Sequence, residues 1–216
     1  ISLYTYNTKG QQEKQVLDYD RDSVIDLDEL DRISQSETQV LNVNGQTVFR
    51  TTQKSWNTDN SDTATIVNVS DQVLSPASGG IIKLTQSSTS FGLTSTRETI
   101  LEPNTKTRRL RDISPDGTYS ETIMVDRRVQ SNSNYGVDDS LISQTTFTYD
   151  SHGRQKSQTQ SGFGTTDITY FDDDLAQTIT RPLKNSEARQ VETYVYDAIG
   201  QRTEIHRADG SVVLTK

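Results

Sequence analysis

The sequence predicts an all-β fold: antiparallel β-hairpin repeats stacked into a continuous curved or spiralling sheet. Three observations predict it. A short strand-and-turn unit recurs, as Tyr4-Thr5-Tyr6-Asn7-Thr8-Lys9-Gly10, Phe147-Thr148-Tyr149-Asp150-Ser151-His152-Gly153, Ile168-Thr169-Tyr170-Phe171-Asp172-Asp173-Asp174 and Tyr194-Val195-Tyr196-Asp197-Ala198-Ile199-Gly200. Hairpin signals punctuate the alternating stretches, at Asn44-Gly45, Asp116-Gly117 and Asp209-Gly210. Only 30% of the 216 residues are hydrophobic and 24% are charged. That composition suits a broad sheet with water on its faces better than a compact core.

Each element of the unit has a physical reason. Strand side chains alternate, so each tyrosine shares a face with the residue two before it. Between them stands a β-branched residue, Thr5, Thr148, Thr169 or Val195, which fits a pleated surface. Asp or Asn then opens a four-residue turn and Gly closes it, the residues a type I turn prefers. The copy at Tyr170 departs, with Phe171 in the Asp place and Asp174 in the Gly place. Asp tolerates the left-handed region, so that turn is expected to survive. Tyr149, Tyr170 and Tyr196 stand 21 and 26 residues apart, room for two strands and a return turn.

Along the chain, residues 1–80 read as hairpins with an acidic loop insertion, 81–145 as divergent hairpins, and 146–216 as the clearest repeats, together one continuous array. A strand is expected from Gln11 to Leu17, and Leu27, Leu30 and Ile33 are placed to line a short helix. Trp56-Asn57-Thr58-Asp59-Asn60 reads as a worn copy of the unit, and Ser75 to Gly80 as a turn or boundary. Further strands are expected at 81–85, 97–101, 107–113, 119–129, 141–147 and 212–214, with a polar loop from Ser131 to Asp139. The chain begins at Ile1 inside a strand pattern, which reads as a piece of something longer.

The tyrosine units carry a resemblance. Tyr149-Asp150-Ser151-His152-Gly153-Arg154 and Tyr196-Asp197-Ala198-Ile199-Gly200-Gln201-Arg202 look like the YD repeat of the Rhs/YD-repeat family. The match covers roughly the last third of the chain and residues 4–10. The family usually has Leu after the Gly-Arg pair, where this chain has Gln155. Bacterial polymorphic toxins, toxin-complex subunits and teneurins of that family use such hairpins to build a spiralling β-sheet shell, which in toxins encloses a polypeptide cargo. The resemblance implies a non-catalytic scaffold, secreted or at the cell surface and bacterial. It casts Tyr6, Gly10, Tyr149, Asp150, Gly153, Tyr170, Tyr196, Asp197 and Gly200 as structural repeat residues. Neighbouring repeats or further copies are the expected partners, with a polypeptide cargo or surface receptor beyond them. The family's shell-closing region and autoproteolytic aspartates have no matching segment here.

One acidic cluster has metal-like spacing. With Asp18 as position 1, oxygen ligands fall at Asp18, Asp20, Asp22, Asp26 and Glu29, and Val24 supplies a backbone carbonyl. This is the spacing of an EF-hand or dockerin-type loop, because Ca²⁺ takes 6–8 hard oxygens that a tight loop must bring together. The sharp-turn position, usually Gly, holds Ser23. Calcium is therefore an expected ligand, at a weak extracellular-type affinity on the order of 10⁻⁴–10⁻³ M. The alternatives are an acidic hairpin loop without metal, and a calcium-stiffened adhesion or filament module whose sheet edges pair between copies.

Charge and missing motifs bound the rest. Net charge is −8, against nucleic acid and anionic membranes as partners. There is no cysteine, so no disulfide framework, and no apolar run long enough to span a membrane. Arg108-Arg109 with Arg111, and Arg127-Arg128, read as solvated strand faces. The two histidines, His152 and His206, fall in a turn and on an alternating strand, with no nucleophile motif nearby. No phosphate-cradling loop, zinc-helix motif or dinucleotide fingerprint occurs, so an enzyme is not expected.

Overall fold

Alternation and placed turns do produce an all-β chain. The structure, a computed structural model, describes residues 1–27, 31–56, 63–76, 80–183 and 186–215. Among these lie seventeen β-strands, a 3-10 turn at Pro103–Thr105 and no α-helix. Contacts divide the chain into two compact units, Ile1–Tyr119 and Ser120–Lys216.

The first unit holds β1 (Ser2–Tyr6), β2 (Gln12–Leu17), β3 (Arg32–Val43), β4 (Gln46–Trp56), β5 (Thr65–Pro76), β6 (Ile82–Ser90), β7 (Leu93–Glu102) and β8 (Thr107–Ile113). Each pairs antiparallel with the next. The β3–β4 turn is the expected one, with Asn44 and Gly45 at φ 51° and 79°. One row across the strands is apolar: Leu3, Val16, Ile33 and Trp56 stand directly opposite one another on β1 to β4. Val16, Ile33 and Trp56 are buried, with Leu3, Ile25, Leu27 and Ala64 packed on them. Elsewhere the long strands are mostly wet, apart from Val48, buried opposite Leu41 and Val73. Thr38, Thr51, Ser70, Ser88 and Ser95 form one continuous row. Arg50 faces Asp71 in register and binds both its oxygens at 2.6 Å; Arg97 faces Asp112 at 2.5 Å.

The second unit holds most of β9 (Tyr119–Val125), then β10 (Arg128–Tyr135), β11 (Leu141–Tyr149), β12 (Gln155–Gln160), β13 (Gly164–Tyr170), β14 (Ala176–Leu183), β15 (Ser186–Tyr196), β16 (Arg202–Arg207) and β17 (Val212–Leu214). From β10 to β17 each again pairs antiparallel with its successor. Ile168 faces Ile179, and the buried Tyr194 faces Ile205, which in turn faces Val213.

Three expectations are corrected. Leu27 and Ile33 line no helix: Ile33 is in β3, where Val16 and Trp56 flank it, and tertiary packing overrides the helical spacing. Leu30 lies outside the described residues. The strand expected at 119–129 is broken by a turn, because Asp126 and Arg127 take φ 53° and 66°, the geometry of a two-residue hairpin without its usual Asn-Gly signature. The polar stretch from Ser131 is strand β10, not loop, as far as Tyr135. Ser131 and Ser133 are buried there, and Gln144 donates to Ser133 Oγ at 3.1 Å, so small hydroxyls fill a site that propensity would not give them. The segments proposed as a worn repeat at 57–60 and as a boundary at 77–79 lie outside the described residues.

Candidate functional site: the tyrosine turns and the acidic loop

The recurring unit closes with one hydrogen-bond pattern. The N–H of Asp150 donates to the Arg154 carbonyl, and that of Gly153 to the Asp150 carbonyl. The same pair of bonds closes the turns opening at Asn7, Ser114, Gly136, Phe171, Asp197 and Arg207. The fourth residue always has positive φ: Gly10 75°, Gly117 87°, Asp139 61°, Gly153 85°, Asp174 68°, Gly200 80° and Gly210 81°. This is a type I turn followed by a left-handed residue. The Tyr170 turn thus survives its Asp-for-Gly exchange.

Asp or Asn side chains cap these turns from two different positions. Asn7, Asp150 and Asp197 open their turns, and their Oδ1 accepts the N–H groups two and four residues on. Asp116, Asp138, Asp173 and Asp209 stand third instead and accept the N–H two residues on but not the one after the turn, and Asp116 and Asp138 also accept the Thr118 and Ser140 hydroxyls. The second pattern hides a fifth tyrosine unit from the sequence reading, Tyr135-Gly136-Val137-Asp138-Asp139. Its signal is Asp followed by Gly or Asp and then a strand. At Tyr6, Tyr135, Tyr149, Tyr170 and Tyr196 the strand register also shifts by one residue.

The tyrosines of the second unit tie hairpin to hairpin. Tyr149 donates its hydroxyl to the Val129 carbonyl at 2.7 Å, Tyr170 to Gln155 at 2.8 Å, and Tyr196 to Ala176 at 2.9 Å. The residue before each acceptor packs on the same turn. Arg128 lies over the Tyr149 ring at 5.7 Å and so close to Gly153 that a Cβ there would be 2.2 Å from its Nη2. Arg154 lies over the Tyr170 ring at 4.5 Å and bridges Asp150 (2.7 Å) and Asp174 (2.6 Å). Leu175 approaches Gly200, where a Cβ would meet it at 3.7 Å. Phe171 meets the Tyr196 ring edge-on at 6.2 Å. Burial pushes the Tyr170 hydroxyl up, helped by the Asp150 charge. Burial opposes the charge on Asp150, but Arg154 and the turn N–H groups outweigh it and hold the carboxyl below the ordinary range. Arg128 was read as a solvated strand face; its stacking role had no signal in composition or spacing.

Tyr6 has the same turn but different surroundings. It is 62% exposed, its hydroxyl meets no acceptor among the described residues, and nothing would lie within 4 Å of a Cβ on Gly10. Thr5 Oγ1 is buried without a partner, whereas Thr148 pairs with Ser157 and Thr169 with Thr178, each at 2.7 Å.

The acidic loop is built around two buried carboxylates. Asp18 accepts the Arg21 N–H at 2.6 Å on one oxygen and the Ser23 N–H at 3.1 Å on the other. Asp31, which the spacing argument did not include, accepts from Tyr19 at 3.1 Å and from Asp26 at 3.3 Å. Burial works against the charge on Asp18, yet these N–H bonds hold its carboxyl below the ordinary range. Asp20 and Asp22 are exposed and accept the Asp22 and Val24 N–H groups. One carboxylate oxygen each from Asp18, Asp20 and Asp22 lies within 4.8 Å of the others. Ser23, in the position usually given to Gly, has φ 66°. Glu29 lies outside the described residues, and Asp26 turns its N–H to Asp31. His152 and His206 are both exposed, and His206 Nε2 sits 2.6 Å from Glu204 on its own strand.

No known protein family profile matches this chain, and no curated protein matches it.

Proposed function

We propose that the chain is a non-catalytic structural segment of the Rhs/YD-repeat kind. Its tyrosine-turn hairpins would form a β-sheet shell or scaffold within a large secreted or cell-surface protein. The observation that carries this reading is the hydroxyl-to-carbonyl link repeated at Tyr149, Tyr170 and Tyr196. A fixed joint made three times serves extension of an array and concentrates no reactive groups at one point. Duplicating residues 150–170 in place tests it. The insert runs from one tyrosine to the equivalent position of the next, so the longer chain should stay soluble, melt cooperatively and gain β-sheet circular dichroism. Aggregation or loss of cooperativity on duplication would sink the modular reading.

A second reading has its own support: a calcium-stiffened loop within an adhesion or filament module. Three convergent carboxylates and a left-handed Ser23 fit a hard cation. Asp18, Asp20 and Asp22 would hold it, and it would relieve their mutual repulsion. At calcium a hundredfold above its dissociation constant the stabilisation is about 2.7 kcal/mol. Melts with calcium or chelator, on the chain and on an Asp20→Asn/Asp22→Asn variant, should show a shift only in the former. Light scattering alongside reads calcium-dependent growth, the mark of a filament.

A further inference from the structure

We infer that the uncharged face of β3 to β7 is a dimer interface, and that its occupant is the same face of a second copy of this chain. The inference goes beyond the scaffold reading and does not need it. Each of these five strands is paired on both edges by its own neighbours, so what they offer a partner is a face.

The two faces differ in charge. One carries the buried Val48 and three ion pairs at 2.6–2.8 Å: Glu37 with Lys54, Arg50 with Asp71, and Lys83 with Glu98. The other is built in uncharged rows. Thr38, Thr51, Ser70, Ser88 and Ser95 form one, and Val40, Phe49, Gln72, Gln86 and Arg97 stand beside it in register. From Ser34 on β3 to Leu101 on β7, Arg97 is the only charged residue on this face, and Asp112 of β8 binds it. The same face exposes Val40, Phe49, Ile82, Leu93 and Leu101, with Phe49 48% exposed. Apolar side chains in a field depleted of charge are the composition of an interface core.

The chemistry of the face selects its occupant. A charged face calls for a partner of opposite sign, whereas hydroxyls and carboxamides both donate and accept, so a row of them is complementary to itself. With a net charge of −8 on each copy, this is the face through which two copies approach without like charges meeting. Five strands about 4.8 Å apart and about 30 Å long present roughly 700 Å², close to the share of each partner in a standard interface. The relief is self-complementary too. Val40 and Phe49 stand at one side of their row, and toward the other lies a trough of about 490 Å³ lined by Ser70, Gln86, Ser88, Ser95 and Arg97. A two-fold axis parallel to β5 and passing over Gln72 lays β4 of each copy on β6 of the other. It sets each Phe49 into the trough of the other copy and brings the two Gln72 carboxamides face to face.

Sedimentation of the full chain over a range of concentrations tests this. A monomer–dimer equilibrium is expected, closed at two copies and unchanged by a calcium chelator, unlike an edge-paired filament. Phe49→Glu should weaken the dimer by more than about tenfold, as loss of an interface anchor does. Ser95→Glu, at an exposed hydroxyl of the first row, repeats the test should Phe49→Glu fail to fold. Thr94→Lys puts a charge on the opposite face and should leave the dimer unchanged. The chain has no cysteine, so Gln72→Cys introduces a single thiol that a short bismaleimide should join between the two copies. A chain that stays monomeric at every concentration overturns the proposal. So does a dimer indifferent to the charge at Phe49 and Ser95, or one whose Gln72→Cys thiols are not joined. Duplicating residues 150–170 leaves β3 to β7 unaltered, so failure of the scaffold reading and failure of this one are told apart.

Discussion

In residues 120–216 three tyrosine hydroxyls carry one hairpin onto the next, and an Arg or Leu seals each joint. In residues 1–119 the long strands β3 to β7 contain no tyrosine at all. They hold by in-register hydroxyl rows and cross-strand ion pairs, anchored at one end by Val16, Ile33 and Trp56. Both regions answer the same shortage of apolar residues. One spreads its stabilising contacts evenly over the repeats. The other concentrates burial in one row, with Val48 between Leu41 and Val73 as a second buried point, and leaves much of the remaining sheet wet. The difference teaches where each region is vulnerable: the first unit chiefly at its apolar row, the second a little at every joint.

The largest effect should come from that row. Ile33 is 2% exposed between Val16 and Trp56, and Ile33→Ala should cost about 2–5 kcal/mol. Trp56 is the only tryptophan, so urea unfolding followed by its fluorescence reports on this cluster directly. A cost below about 1 kcal/mol would mean that the hydroxyl rows and ion pairs carry the first unit. Next in size is the contrast between two glycines. Gly153→Ala and Gly10→Ala both place Cβ in the left-handed region, at about 1 kcal/mol. Only the former also drives Arg128 off Gly153 and the Tyr149 ring. Gly153→Ala should therefore lose more stability in parallel melts; equal losses would mean that Arg128 contributes nothing to the joint. Tyr196→Phe comes third, with about 1 kcal/mol for its lost hydrogen bond to Ala176. Tyr6→Phe should cost nothing measurable in the same assay, because its hydroxyl meets no acceptor among the described residues.

How much of this was legible follows from which interactions are local. The four recurrent turns could be read because their capping atoms and positive-φ residues lie within five residues of one another. The Asn44-Gly45 hairpin was legible for the same reason. The Asp126-Arg127 turn was not, since two ordinary residues accept positive φ there only because the paired strands on either side demand it. Strand β10 was hidden because its serines are held by Gln144 and by neighbouring strands, and nothing in their own propensity announces it. In the acidic loop the convergence of Asp18, Asp20 and Asp22 followed from spacing. Asp31 escaped because it caps the loop across 12 residues, from Tyr19. The tyrosine joints were half legible: the ring's face was predictable, but the carbonyl 15 or 20 residues upstream was not.

The smallest effect separates the turns by their capping chemistry. Asp150 and Asn7 hold the same two N–H groups, but only Asp150 titrates. Its carboxyl is depressed in the folded chain, below the unfolded value of about 3.9. Its contribution is therefore fully present above about pH 4 and is lost as the pH falls through the folded value, where protonation releases Arg154. Asp150→Asn keeps the Oδ1 acceptor and removes the titration. The variant should be less stable than the parent at pH 7, and the two stability curves should draw together as the pH falls below 4. Parallel curves from pH 7 to pH 2 would show that the Asp150–Arg154 pair does not couple proton binding to folding. The joint would then rest on its other contacts, the Tyr170 hydroxyl bond, the stacking of Arg154 on the ring and the Arg154–Asp174 pair.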